Sequence, residues 1–354
     1  MGAGILLQTG SATMKSVSKM GAKRAAILLA SACGWILAAG APANAATVVT
    51  FKVTGATQTM GAAVDAAGDV AGTWYDSGFV THGFLRTAAG TLTTFDPSGS
   101  TGTNVYGMND TQWVAGAFSD GAGTHGFLRA PDGTVTVYDA PGSAGYTQIL
   151  AVNDDNAFAG TYAADDGNDY GFVVDKKGKF TSFAPSGARY TSATAINSKG
   201  ATAGQGTDSD STIHGFVRSA NGTLTSFDVP GGDEPFVRGI NVHGTVAGTS
   251  YEDYVSDTGQ GYLLLSDGTF QTFQVVSGFE TDANGLNDQG LVCGDYYDAG
   301  GAYHGFIRNK KGKIKSFDVG NTGATACTAI NASGQTTGYY YSLKDIGVAF
   351  LRTP

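Results

Sequence analysis

His82-Gly83-Phe84-Leu85-Arg86 returns as His125-Gly126-Phe127-Leu128-Arg129, His214-Gly215-Phe216-Val217-Arg218 and His304-Gly305-Phe306-Ile307-Arg308. Looser copies stand at Tyr170-Gly171-Phe172, Gln260-Gly261-Tyr262 and Val348-Ala349-Phe350. The aromatic anchors Phe84, Phe127, Phe172, Phe216, Tyr262, Phe306 and Phe350 lie 43, 45, 44, 46, 44 and 44 residues apart and define seven repeats, numbered one to seven in chain order. A fixed period of this size marks an architecture in which each unit buries its apolar face against its neighbours.

Around each anchor the local pattern is that of short strands. In repeat four, Tyr190–Asn197 alternates and reads as a strand, Asn197-Ser198-Lys199-Gly200 as a turn, and Ala201–Gln205 as a second strand. After an acidic loop, Ile213–Ser219 reads as a third strand, Asn221-Gly222 as a hairpin turn, and Thr223–Asp228 as a fourth. The first-turn residues Asn109, Asn153, Asn197, Asn241, Asn287 and Asn331, with Asp65 in repeat one, suit a side chain that bonds its own backbone two residues on. Gly68, Gly200, Gly244, Gly290 and Gly334 follow three residues later, where a left-handed backbone is expected. Four strands per period of about 44 residues predict an all-β, seven-bladed β-propeller. A parallel β-helix, the rival, has shorter coils and no need of two hairpin turns per unit.

Repeat seven supplies only three strands, Thr325–Asn331, Gln335–Tyr341 and Gly347–Thr353. Val48-Val49-Thr50-Phe51-Lys52-Val53-Thr54-Gly55 matches fourth strands such as Leu224-Thr225-Ser226-Phe227-Asp228-Val229-Pro230-Gly231. Residues 47–53 are therefore expected to complete the last blade and close the ring.

The chain has 354 residues, of which 54 are glycine and 14% are charged, a balance that suits strands and turns. Lys15, Lys19, Lys23 and Arg24 precede the apolar run Ala25–Gly40, and Ala43-Asn44-Ala45 resembles a cleavage site. Residues 1–45 are thus expected to be a signal peptide, with Met14 an alternative start and residues 1–13 then upstream read-through. Residues 46–354 would form one exported domain, periplasmic or extracellular, with no transmembrane segment. Cleavage would remove four of the 21 Lys and Arg and none of the 30 Asp and Glu, leaving 17 against 30 and a net charge of −13. That excess argues against nucleic acid and anionic membrane surfaces as partners. Cys293 and Cys327 fall in slots held by small apolar residues elsewhere and read first as core residues, with a disulfide open to an exported chain.

Counting outward from the third hairpin turn puts His82 opposite Asp96, His125 opposite Asp139, His214 opposite Asp228 and His304 opposite Asp318, always 14 residues on. Histidine occurs in this slot only where aspartate faces it. Cross-strand neighbours touch, so four structural His–Asp pairs are expected. A catalytic dyad would not need four copies, and histidines on separate blades cannot converge as zinc ligands must.

The Ile196-Asn197-Ser198-Lys199-Gly200 and His214-Gly215-Phe216-Val217-Arg218 elements resemble the HAF-type extracellular repeat family of bacteria over residues 47–354. The second letter departs from that family's name, being Gly in six repeats and Ala only in Val348-Ala349-Phe350. The resemblance implies an exported repeat protein and no particular activity.

Candidate ligand-binding residues gather on the loops between second and third strands: Trp74, Tyr75, Asp76, Asp120, Tyr162, Tyr251, Glu252, Tyr296 and Asp298. Aromatic platforms beside carboxylates suit sugar rings, and the same carboxylates suit Ca²⁺, although no loop carries a full calcium motif. Arg189 and Arg238, on first strands, are expected to line the central channel. No H-E-x-x-H, G-x-S-x-G or phosphate loop appears, and no residue is assigned a catalytic, metal or cofactor role. The expected function is a monomeric, non-enzymatic binding module for a polysaccharide or an envelope or extracellular protein. The alternatives are a glycan-acting lyase or hydrolase with acids at the channel mouth, and a passive structural protein.

Overall fold

The computed structural model describes residues 46–232, 234–251, 258–321, 324–343 and 346–354. All regular structure in them is β-strand. The signal peptide expected over residues 1–45 and the candidate Glu252 lie outside the described residues.

Repeats one to six each form a four-stranded antiparallel sheet whose strands pair in chain order. In repeat four the strands are Ala188–Ile196, Thr202–Asp208, Ile213–Arg218 and Leu224–Phe227, within a few residues of the sequence reading. In repeat seven the three strands Thr325–Ile330, Thr336–Tyr341 and Gly347–Thr353 are joined by Thr47–Phe51, which pairs antiparallel with Gly347–Thr353 in the register Thr50–Phe350. A single parallel bridge, Gln58–Gly347, links repeat seven to repeat one.

The anchors explain the regularity. Phe84, Phe127, Phe172, Phe216, Tyr262, Phe306 and Phe350 are all fully buried. The glycine before most of them is forced by close packing: a Cβ on Gly83 would lie 2.5 Å from the Phe95 ring, and one on Gly215 would lie 2.3 Å from Phe227. Arginines close the seams between neighbouring repeats. Arg86 lies over the ring of Phe51 at 4.8 Å, Arg129 over Phe95 at 5.1 Å, Arg218 over Phe183 at 5.0 Å, Arg308 over Phe273 at 4.8 Å and Arg352 over Phe317 at 4.8 Å. In each case the guanidinium of one repeat's third strand meets the fourth-strand phenylalanine of the repeat before it, a cation–π contact desolvated by the sheets on either side.

The first turns form a second set of seams. Each Asn side-chain oxygen accepts backbone N–H bonds two and four residues on, as at Asn197 from Lys199 and Ala201. The amide then donates to the next repeat's carbonyl, Asn109 to Asn153 at 2.8 Å and Asn153 to Asn197 at 2.8 Å. The glycines expected in left-handed geometry have it, with φ from 76° to 88°, and Gln112 and Asn156 take the same slot at 62° and 61°.

Cys293 and Cys327 are buried free thiols, filling the seam between repeats six and seven without a disulfide. Burial pushes the Cys293 thiol well up, with Cys327 and Asp295 adding to the effect.

Candidate functional site

The His–Asp offset of 14 translates into short bonds from imidazole Nδ1: 2.8 Å to Asp96 from His82, 2.8 Å to Asp139 from His125, 2.6 Å to Asp228 from His214 and 2.8 Å to Asp318 from His304. The other nitrogen faces a second carboxylate from the preceding loop. Nε2 lies 3.7 Å from Asp76 in His82, 3.2 Å from Asp120 in His125, 3.7 Å from Asp208 in His214 and 3.2 Å from Asp298 in His304. Burial opposes charge on His125 and His304, but the flanking carboxylates outweigh it and both lie above the usual imidazole value. His214 is raised too, chiefly by Asp228.

This arrangement reassigns several candidates. Asp76, Asp120 and Asp298 shape their own turns, accepting backbone N–H bonds from Gly78 and Val80, from Ala122 and Gly123, and from Gly300 and Ala302. Those amides, Val80, Ala122 and Ala302 foremost, hold the three carboxyls below the usual range. Trp74 stacks on His82 with ring centroids 4.4 Å apart, and Tyr296 lies 5.3 Å from His304, so both cover a histidine rather than offering a free platform. Tyr162 is buried, its hydroxyl 2.9 Å from Ser182 Oγ.

The two arginines expected at the channel are placed differently. Every first strand carries a register shift that turns one residue inward: Ala62, Tyr106, Leu150, Thr194, Arg238, Asn284 and Thr328 all line one cavity of about 260 Å³. Arg238 is among them. Arg189 lies five residues before Thr194, the channel residue of its strand, and is exposed at the strand's outer end.

Beside Arg238 lies a cluster that sequence reasoning missed. Asp282 and Asp295 are direct cross-strand partners. Asp295 is buried and accepts a 2.8 Å bond from the Asn284 amide, which also reaches the Cys327 carbonyl. Tyr251 donates to Glu280 at 2.8 Å and lies 3.3 Å from Asp282. Burial, then Asp282 and Glu280, raise the Asp295 carboxyl well above the carboxylate range, while Arg238 opposes them weakly. A neighbouring carboxylate disfavours a second negative charge, which adds to the effect of burial on Asp295. Burial raises Tyr339 to about 12, with smaller contributions from Tyr341, Asp295, Tyr75 and Asp282. Tyr106 is raised by burial to about 12 and feels Tyr146 and Tyr75. Tyr251, Glu280, Asp282, Asn284 and Asp295 thus form one cluster, a basin whose charges Arg238 and Tyr339 feel. The signal was present in the aligned repeats: Asp295 takes the slot of Thr73, Ala117, Thr161, Gln205, Thr249 and Tyr339.

Among the described residues no group of three or more His, Cys, Asp or Glu side chains is placed to hold a metal ion, and no helix is long and apolar enough to cross a membrane.

These features define a β-propeller fold of four-stranded blades. No family model and no curated relative matches the chain. Solved structures do. Virginiamycin B lyase from Staphylococcus aureus aligns with a TM-score of 0.60 at 11% identity, covering 88% of this chain and 100% of that one. A streptogramin B lyase aligns at 0.57 and 11%, covering 86% and 97%. The β-propeller domain of the trilobed protease from Pyrococcus furiosus, described as having an open velcro topology, aligns at 0.56 and 10%, covering 83% and 94%. At these identities the likeness is one of fold.

Proposed function

We propose that this chain is an exported, non-enzymatic saccharide-binding propeller of the HAF-type repeat family, released after Ala45 and acting as a monomer outside the cytoplasm. Its seven blades close into a ring through Thr47–Phe51. The pairing of that strand with Gly347–Thr353 and the stacking of Arg86 on Phe51 support the closure.

The observation that carries the binding reading is the asymmetric basin beside Arg238. Tyr251 and three carboxyls meet there beside the channel residues Arg238 and Asn284, and the acids come from repeat six alone. Carboxylates accept hydroxyl protons, tyrosines offer a ring face and a donor, and a concave site with a few convergent polar groups is the usual form of a ligand pocket. A binding role asks less of the basin than catalysis does: Asp295 is buried and held by Asn284 rather than presented to a substrate.

The test is a broad glycan array probed with the full chain after export, with calcium and with a chelator, alongside N-terminal sequencing of the exported form. Saturable binding supports the reading, and chelator sensitivity would bring calcium into the site. A blank array in both conditions would overturn it, and turnover of any bound glycan would replace the module with an enzyme.

A further inference from the structure

The four Asp–His–Asp units are not equivalent. In repeats one, two and six an aromatic ring lies against the imidazole: Trp74 at 4.4 Å from His82, Phe118 at 5.3 Å from His125 and Tyr296 at 5.3 Å from His304. In repeat four the cross-strand partner of His214 is Gly206. The next seam is altered as well. Six repeats carry a buried threonine near the start of the first strand, Thr59, Thr103, Thr147, Thr191, Thr281 and Thr325. Four of these hydroxyls accept the backbone N–H of Val53, Ala140, Val275 and Val319, and that of Thr103 donates to Asp96 at 2.6 Å. Repeat five has Pro235 in this slot, which offers Val229 and Asp228 no hydroxyl.

Both losses open the same place. The His214 side chain is 37% exposed, against 22%, 16% and 20% for His82, His125 and His304, and Asp228 is 70% exposed, against 38%, 51% and 45% for its counterparts. A pocket of about 740 Å³ lies there, bounded by Ser211, Thr212, His214, Asp228, Gly232 and Glu234. Ser211 holds a left-handed backbone with φ of 67°, strain that a loop keeps only where its surroundings fix it.

We propose that this pocket between repeats four and five is a second binding site, and that it takes a neutral pyranose. The proposal rests on the saccharide reading above and adds a second site, whose Glu234 is the cross-strand partner of the basin's Tyr251. The imidazole's nitrogens are directed at Asp228 and Asp208, which leaves a ring face, not a lone pair, for a ligand. A pyranose brings an apolar C–H face of matching size and a rim of hydroxyls. Asp228 keeps a second carboxylate oxygen to accept from that rim, Glu234 supplies another carboxylate, and the hydroxyls of Ser211 and Thr212 donate or accept.

The experiment follows the imidazole C–H signals of the full exported chain by NMR while methyl glucoside, methyl galactoside, methyl mannoside and N-acetylglucosamine are added in turn. The expected result is a saturable shift of the His214 signals with at least one sugar, with His82, His125 and His304 unmoved. Thr212→Trp, whose backbone alone makes the turn's bonds with Asp208, should abolish that shift and leave the other three histidines in place. A positive glycan array with silent His214 signals would overturn this site and spare the basin. A blank array together with silent signals would overturn both. Equal shifts at all four histidines, or a shift with methylammonium and with no sugar, would also overturn the proposal.

Discussion

Asn331 gives its side-chain amide to the carbonyl of Asp65, 2.7 Å away and 266 residues back along the chain. It is one link of a relay that also runs from Asn197 to Asn241 at 2.9 Å, Asn241 to Asn287 at 3.3 Å and Asn287 to Asn331 at 2.9 Å. Asp65 stands in the same slot and accepts N–H bonds from Ala67 and Asp69 through Oδ1, as an asparagine does. Its Oδ2 is buried without a partner, and an ionised carboxylate has no proton to pass to the next repeat.

Asp65→Asn should therefore stabilise the protein at neutral pH by about 1 kcal/mol, the net worth of one buried hydrogen bond. Burial, reinforced by Asp69 and Asp110, raises the Asp65 pKa above 3.8. A raised carboxyl stabilises the native state fully below its unfolded pKa and loses that contribution as pH rises through the folded one. The gain from Asp65→Asn should accordingly be large at pH 7 and shrink towards pH 3.8. Urea melts at several pH values decide it; a gain independent of pH would remove the protonation argument.

The strand Thr47–Phe51 should carry far more stability than five residues suggest. Phe51 meets Phe84 edge-on at 5.9 Å and lies under Arg86 at 4.8 Å. Deleting residues 46–54 exposes the edge Gly347–Thr353 and should leave a chain that melts much earlier or aggregates. Phe51→Ala should cost about 2 kcal/mol through packing and the lost cation–π contact, while Thr50→Ala at an exposed position should be nearly silent. A thermal scan unchanged by the deletion would end the proposal of closure through this strand.

Much of this was legible in sequence because the period repeats local chemistry. The anchors, the Asn turns and the offset of 14 each concern residues within one hairpin or one turn, where counting suffices. Asp76, Asp120, Asp208 and Asp298 precede their histidines by five or six residues across loops of differing shape, so the second carboxylate emerges only in three dimensions. The basin depends on a strand bulge that shifts which residue faces the channel. Arg189, also on a first strand, falls at a separate register shift between Ala188 and Tyr190 and lies outside the channel.

The histidine pairs should shape the pH profile of stability. His125, His214 and His304 are raised above 6.5, so their contribution is complete below the unfolded value and fades as pH rises through the folded ones. Asp76, Asp120 and Asp298 are lowered below 3.8, and what they contribute is lost as pH falls through their folded values. The urea midpoint should fall between neutral and mildly alkaline pH, and His125→Asn and His304→Asn should each flatten part of that slope. Variants that lower the midpoint without changing the slope would show that these rings serve by packing alone.

The basin makes the most direct demand. Tyr251→Phe keeps the ring that meets Phe236 edge-on at 5.7 Å and removes only the hydroxyl between Glu280 and Asp282. The fold should survive nearly unchanged. The two carboxylates lose the donor that orients them, and a bound saccharide loses one polar partner, so affinity should drop about five- to tenfold, or 1–1.4 kcal/mol. Asp282→Asn adds a contrast, since it removes a carboxyl that adds to burial in raising Asp295 while preserving shape. It should weaken binding at least as much and lower the Asp295 carboxyl part of the way, burial and Glu280 still holding it up, visible as a shifted titration of the side-chain carboxyl signal. Two variants with unimpaired binding on the same array would move the ligand away from the channel.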